Sequence, residues 1–197
     1  QLGHPLASRT AVGELRAVAE RSYGTTLTGL ILRDARAEMN QGKLTASASQ
    51  FTANGLTASG AKVNGVTASD LRARRENDVT TATIANVKAG TVNASGATIK
   101  GVTANNVDIV DRGGVTSVVV KNVQVGAMSA AGAEIGSLNI AGVRLSVRER
   151  QIQGSTADID AGTVKLANGQ AENVKLAKPV FVVAPSGSYR ATADLSI

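Results

Sequence analysis

The chain has 197 residues, 43% of them apolar but only 2% aromatic, with no Cys and one His. That excludes disulfide scaffolds and thiolate zinc sites, and it leaves Ala, Val, Ile and Leu to fill a narrow interior. The net charge is +6, but the basic residues are spread along the chain and lack aromatic partners for base stacking, so a specific nucleic-acid surface is not expected.

Residues 1–43 differ in pattern from the rest of the chain. Thr10 is placed to cap a helix running through Ser22, with Val12, Leu15 and Val18 or Ala19 on one face, and Gly24 suits the left-handed residue that ends it. The stretch TLTGLILR, Thr26 to Arg33, reads as a strand. The stretch DARAEMNQG reads as a short helix, with Asp34 at its start and Gly42 just past its end. The expected unit is a helix–strand–helix cap or docking segment.

Residues 44–178 carry a five-residue beat. Apolar pairs fall at Ala46/Ala48, Phe51/Ala53, Leu56/Ala58, Ala61/Val63, Val66/Ala68 and Leu71/Ala73; ENDVTT interrupts with one extra residue. The beat resumes at Ala82/Ile84, Val87/Ala89, Val92/Ala94, Ala97/Ile99, Val102/Ala104 and Val107/Ile109. Residues i and i+2 of a strand share a face, so each pair is one short inward strand. Gly55, Gly60, Gly65, Gly101, Asn105 and Asn106 fall where the chain must turn a corner. A chain that turns in one sense every five residues winds into a coil, which predicts a mainly β fold: a right-handed β-solenoid behind a small N-terminal α/β cap. Phe51, Leu56, Val63, Val66, Leu71, Ile84, Val92, Ile99, Val102 and Ile109 form its expected core. The alternative is strands of about eight residues joined by turns, as VNASGATIKG (Val92 to Gly101) can be read, giving an elongated antiparallel meander or an open trough.

The beat loosens after DRGG, Asp111 to Gly114, and returns irregularly from Ala133/Ile135 to Val174/Leu176. Residues 179–197 read as a hairpin turning at Pro185 to Ser188, with Tyr189, Ala191, Ala193, Leu195 and Ile197 alternating on one face. The alternation runs into the last residue, so the native chain is expected to continue.

The five-residue tracts resemble pentapeptide-repeat proteins, which form four-sided right-handed β-helices; that resemblance implies the solenoid. Ala61/Val63, Ala82/Ile84 and Ala97/Ile99 follow the family order of small residue then larger one, and pairs such as Phe51/Ala53 reverse it. The N-terminal stretch GHPLASRTAVGELRAVAERSYGTTLTGLILRDARA is similar to a small domain of unknown function found with bacterial extracellular contractile injection systems. Gly3, Pro5, Leu6, Arg9, Glu20, Gly24, Leu30, Leu32 and Ala37 match its pattern, and Arg33 stands where the family usually has His. That resemblance implies a cargo or accessory role around a phage-tail-like particle, in the bacterial cytoplasm or released with the particle. It makes Pro5, Leu6, Arg9, Glu20, Gly24, Leu30, Leu32 and Arg33 the candidate docking residues.

Catalytic, metal-binding and cofactor-binding machinery is not expected. His4 is the lone histidine, so neither an HExxH zinc site nor a multi-His metal centre can form. GATIKG lacks the ending of a phosphate loop. Asp158 and Asp160 read as solvated charge on a strand face. Thr52, Thr57, Thr67, Thr83, Thr98 and Thr103 read as β-formers on a solvated face, their rows broken by Lys62, Arg72 and Lys88. No apolar run reaches the ~20 residues of a membrane-spanning helix. The expected function is a non-enzymatic structural or interaction module with protein partners, either particle components or further copies of itself. A bactofilin-like filament scaffold and a lipid-binding trough are the alternatives.

Overall fold

The computed structural model describes residues 8–22, 25–58, 61–94, 96–149, 151–183 and 189–196, with residues 8–22, 25, 58, 183 and 189 as backbone. These residues form strands and connecting turns, without a helix among them. The first seven strands are β1 (Ser8–Ser22), β2 (Thr25–Asn40), β3 (Lys43–Ala58), β4 (Ala61–Glu76), β5 (Val79–Ala94), β6 (Ala97–Arg112) and β7 (Val115–Ala130). Then come β8 (Ala133–Ile135), β9 (Leu138–Arg148), β10 (Gln151–Ser155), β11 (Asp158–Leu166), β12 (Gly169–Val183) and β13 (Tyr189–Ser196). All pairings are antiparallel, in one sheet. β8 and β9 occupy one rank and β10 and β11 the next.

The expected coil therefore does not form. The chain reverses at hairpins, so the backbone ladder joins antiparallel neighbours instead of stacked parallel coils. The antiparallel alternative describes the sheet, with a longer period than the one expected: strands begin at Lys43, Ala61, Val79, Ala97, Val115 and Ala133, a constant step of 18 residues. Gln41 and Gly42 both take positive φ (48° and 77°), the conformation a two-residue hairpin loop requires. At VNASGATIKG the structure pairs Ala94 with Ala97 and Val92 with Ile99, as the hairpin reading has it.

The five-residue beat has a different cause. In β4 the inward pairs are Ala61/Val63, Val66/Ala68 and Leu71/Ala73, so the step between pairs is three residues. Strict alternation would throw every second pair to the other face. Gly65 (φ 63°) and Asp70 (φ 53°) break the alternation at those two steps and keep all six residues on one side. The same device recurs 36 residues away in each direction, at Gly29 and Asp34 in β2 and at Gly101 and Asn106 in β6. Each strand is thus three short straight segments joined by two bends. The register across β4 and β5 stays constant, so both strands bend together.

The two helices expected over Thr10–Ser22 and Asp34–Gly42 are also strand and hairpin. Their signals were real but shared. Three-residue steps across a bend imitate the i, i+3 spacing of a helix face. Asp34 serves as a left-handed bend residue rather than a helix cap, and its Oδ2 accepts a hydrogen bond from Ser49 Oγ at 2.6 Å. Gly42 is left-handed as expected, but in a hairpin turn. Of the expected C-terminal hairpin, β12 and β13 pair, with a register shift between Ala177 and Val180; its turn, Pro185 to Ser188, lies outside the described residues.

The sheet is one layer thick. Strands meet substantially only their ladder partners. The accessible surface is 13087 Å², against roughly 8,700 Å² for a globular protein of this mass. The expected core residues do share one face, but all ten, from Phe51 to Ile109, are half-buried rather than enclosed; Val107, which is not among the ten, is buried.

Candidate functional site: an open apolar trough

Cross-strand register collects the inward residues into rows that run across the strands. One row joins Leu32, Phe51, Ala68, Val87, Ala104 and Val123. The next joins Ala53, Val66, Ala89, Val102, Val125 and Leu138. Beyond the second bend lie Ala48, Leu71, Ile84, Val107, Val120 and Val143. The opposite face carries Lys62, Thr67, Lys88, Lys100, Arg72 and Asp108, all exposed.

Burial fixes which way the sheet bends. The most buried apolar residues are Ala48, Ala53, Ala68, Val107, Val120, Val125 and Ala161, and all flank a bend. The bend residues themselves, Gly65, Asp70, Gly101 and Asn106, are exposed. A convex apolar face would show the reverse order. The apolar face is therefore the inside of both bends, and the sheet forms a trough with a floor and two walls. Thirteen described strands in eleven ranks make it about 50 Å long at ~4.8 Å per rank.

The two rims differ. One is lined by Ala61, Ala94, Ala97, Ala130 and Ala133 beside the hairpin turns. The other carries Arg75, Thr80, Asp111 and Thr116; Thr116 Oγ1 donates to Asp111 Oδ2 at 2.6 Å. Nearby, Arg74 donates to Glu76, and this bond, with the guanidinium charge, holds the Glu76 carboxyl below its usual range.

The trough also varies along its length. Its upper wall row reads Ala37, Ala46, Ala73, Ala82 across β2 to β5, then Ile109, Val118 and Leu145. Where the wall is alanine a hollow of about 400 Å³ opens, floored by Leu32, Leu71 and Ile84. Further on, the Phe181 ring lies over Gly154, occupying the space a side chain there would take.

The docking residues expected from sequence do not converge. Leu30, Leu32 and Arg33 lie on β2, where Leu32 pairs with Phe51 in the trough and Arg33 is on the exposed side. Arg9 and Glu20 lie near opposite ends of β1, in register with Glu38 and Leu27. Pro5, Leu6 and Gly24 lie outside the described residues. Sequence reasoning grouped the apolar pairs correctly on one face but enclosed them; the signal for an open trough was the turn pair recurring every 18 residues, as at Gln41–Gly42, Asn77–Asp78, Gly113–Gly114 and Ala131–Gly132.

No cluster of three or more His, Cys, Asp and Glu arranged for a metal ion occurs among the described residues, and no helix among them is long and apolar enough to cross a membrane. The chain matches no known family profile, no curated protein and no solved structure.

Proposed function

We propose that the chain is a non-enzymatic binding module that holds the acyl chain of a lipid in its trough. The observation that carries this reading is the continuous apolar inner face, half-exposed along its rims and widened to about 400 Å³ over β2 to β5. Ligand pockets are typically concave, apolar and about 300–1,000 Å³. An uncovered apolar face of this extent is costly in water and is relieved by an apolar occupant. The test is titration with a fluorescent stearate. Ala73→Leu, which fills the hollow, should weaken binding at least several-fold without lowering stability, and Thr67→Leu on the outer face should leave it unchanged. A dimer that binds no stearate would mean that a second copy covers the face, and the reading would fail.

A structural or docking module is the second reading, favoured by β13. Among the described residues that strand pairs only with β12, and Leu195 is 61% exposed. Unpaired edges recruit strands. Here the similarity of residues 3–37 to the injection-system segment supports a cargo or accessory role on a phage-tail-like particle, or end-to-end assembly into filaments. Concentration-dependent growth seen by light scattering, abolished by Thr192→Pro, would support the edge as the contact.

A further inference from the structure

The outer face of β2 to β5 carries a feature that the acyl-chain reading does not use. Behind the alanine wall, on the opposite side of the same strands, lies a second hollow of about 490 Å³. Arg36, Ser47, Arg72 and Thr83 line it in consecutive ranks, placed by the register Arg36 to Ser47, Ser47 to Arg72 and Arg72 to Thr83. Thr45 and Thr81 add hydroxyls one row over, and Glu38 and Arg74 complete the charged groups at its margin.

We infer that this hollow binds a phosphate monoester. Arg36 and Arg72 stand two ranks apart, roughly 10 Å between backbones, with the Ser47 hydroxyl between them on the same face. Two long side chains at that separation can close on one anion seated over Ser47. Neither forms an ion pair among the described residues. Arg74, by contrast, is held by Glu76, and Glu38 is engaged by another group. Two guanidinium forks approaching from opposite sides, with a hydroxyl beneath, need oxygens pointing in several directions. A tetrahedral oxyanion supplies three; a carboxylate offers two in one plane, enough for one fork. The volume exceeds that of phosphate alone, leaving room for the group that carries it.

The site is tested on the whole chain with inorganic phosphate as the probe, following backbone amide shifts of Ser47 and Thr83 at low ionic strength. Saturable shifts are expected, with acetate giving none at equal concentration. Arg36→Gln and Arg72→Gln should each weaken binding about tenfold, the loss expected for a charge-assisted hydrogen bond. Both positions are exposed, so the variants should keep the parent melting temperature. Arg144→Gln, an exposed arginine on the same face in β9, should bind as the parent does. Linear, non-saturating shifts, an equal response to acetate, or an equal loss in Arg144→Gln would each overturn the inference and leave only diffuse attraction to a basic surface. Arg36 and Arg72 also border the acyl-chain hollow, so phosphate binding is read on the lipid-free chain and stearate binding in phosphate-free buffer, which keeps failure here separable from failure of the trough reading.

Discussion

The ranks from β2 to β7 and those from β8 to β13 differ in continuity. In the first group every strand runs 16 residues unbroken. In the second, the rank after β7 splits into β8 and β9 at Gly136 and Ser137, and the next splits at Thr156 and Ala157. The first split falls where the series Gly29, Gly65, Gly101 would place its next member, and Ser137 stands there instead. Glycine takes positive φ at little cost, whereas other residues pay about 1–2 kcal/mol. The ladder is not lost: Gly162 N donates to Ser137 O at 3.0 Å and Ala157 N to Ala141 O at 2.9 Å. The two halves also fill the trough differently, with alanine and open space in one and the Phe181 ring over Gly154 in the other. Bend chemistry sets strand continuity, and wall residues separately set the room inside.

The largest effect should come from breaking the regular half where its wall leaves the second bend. Val107 is 7% exposed, and Val107→Asp places a charge there with no partner, at about 3–5 kcal/mol. Because each rank touches only its neighbours, the loss should be local. Hydrogen exchange should accelerate in β5 to β7 while β10 to β12 stay protected. Uniform acceleration through the whole sheet would show that the halves melt as one unit.

The irregular half is broken by Gly154→Ala. The added methyl meets the Phe181 ring, and overpacking of this kind costs about 2 kcal/mol. Phe181→Ala in the same chain should recover most of that loss, so a double-mutant cycle reads the coupling directly. Additive losses would show that the ring can swing aside.

Much of this fold was legible in the sequence. The apolar pairs do share one face, residues such as Gly65 and Gly101 do mark corners, and the hairpin around Gly96 was readable from VNASGATIKG. What pair spacing alone left open is what happens after two corners. A coil and a bent hairpin strand need the same three-residue step at each corner, and only the reversal at Gln41–Gly42 or Gly113–Gly114 separates them. ENDVTT and DRGG read as interruptions of a repeat when they were its punctuation. The helical reading of Asp34–Gly42 failed because left-handed residues end helices and make hairpins alike. The outer hollow was not legible at all, since Arg36 and Arg72 are 36 residues apart and meet only through register.

A smaller effect tests the bend series. Gly65→Ala places a methyl in ordinary contact with the Gly90 backbone, 3.8 Å away, without a clash, so the cost is conformational, about 1–2 kcal/mol. Ser137→Gly, which restores the series, should raise exchange protection around the join of β8 and β9. If Ser137→Gly leaves protection unchanged, the split has another cause.

The smallest effect concerns the charged rim. Glu76 ordinarily titrates near 4.5, and in the folded chain the hydrogen bond from Arg74, then its charge, lowers that value. A carboxyl whose folded pKa is depressed stabilises the fold above its unfolded pKa and loses that contribution as pH falls through the folded value. The window therefore lies at and below 4.5. The pair is solvent-exposed, so salt screens it and the effect on melting should be hard to resolve. The carboxyl titration itself is the sharper readout. Its midpoint, followed by carbon-detected NMR, should lie below 4.5 and move up in Arg74→Gln. A midpoint that ignores that substitution would show that the Arg74–Glu76 bond does not persist in solution. Arg74 would then be free to join Arg36 and Arg72 at the outer hollow, and Arg74→Gln should weaken phosphate binding there as well.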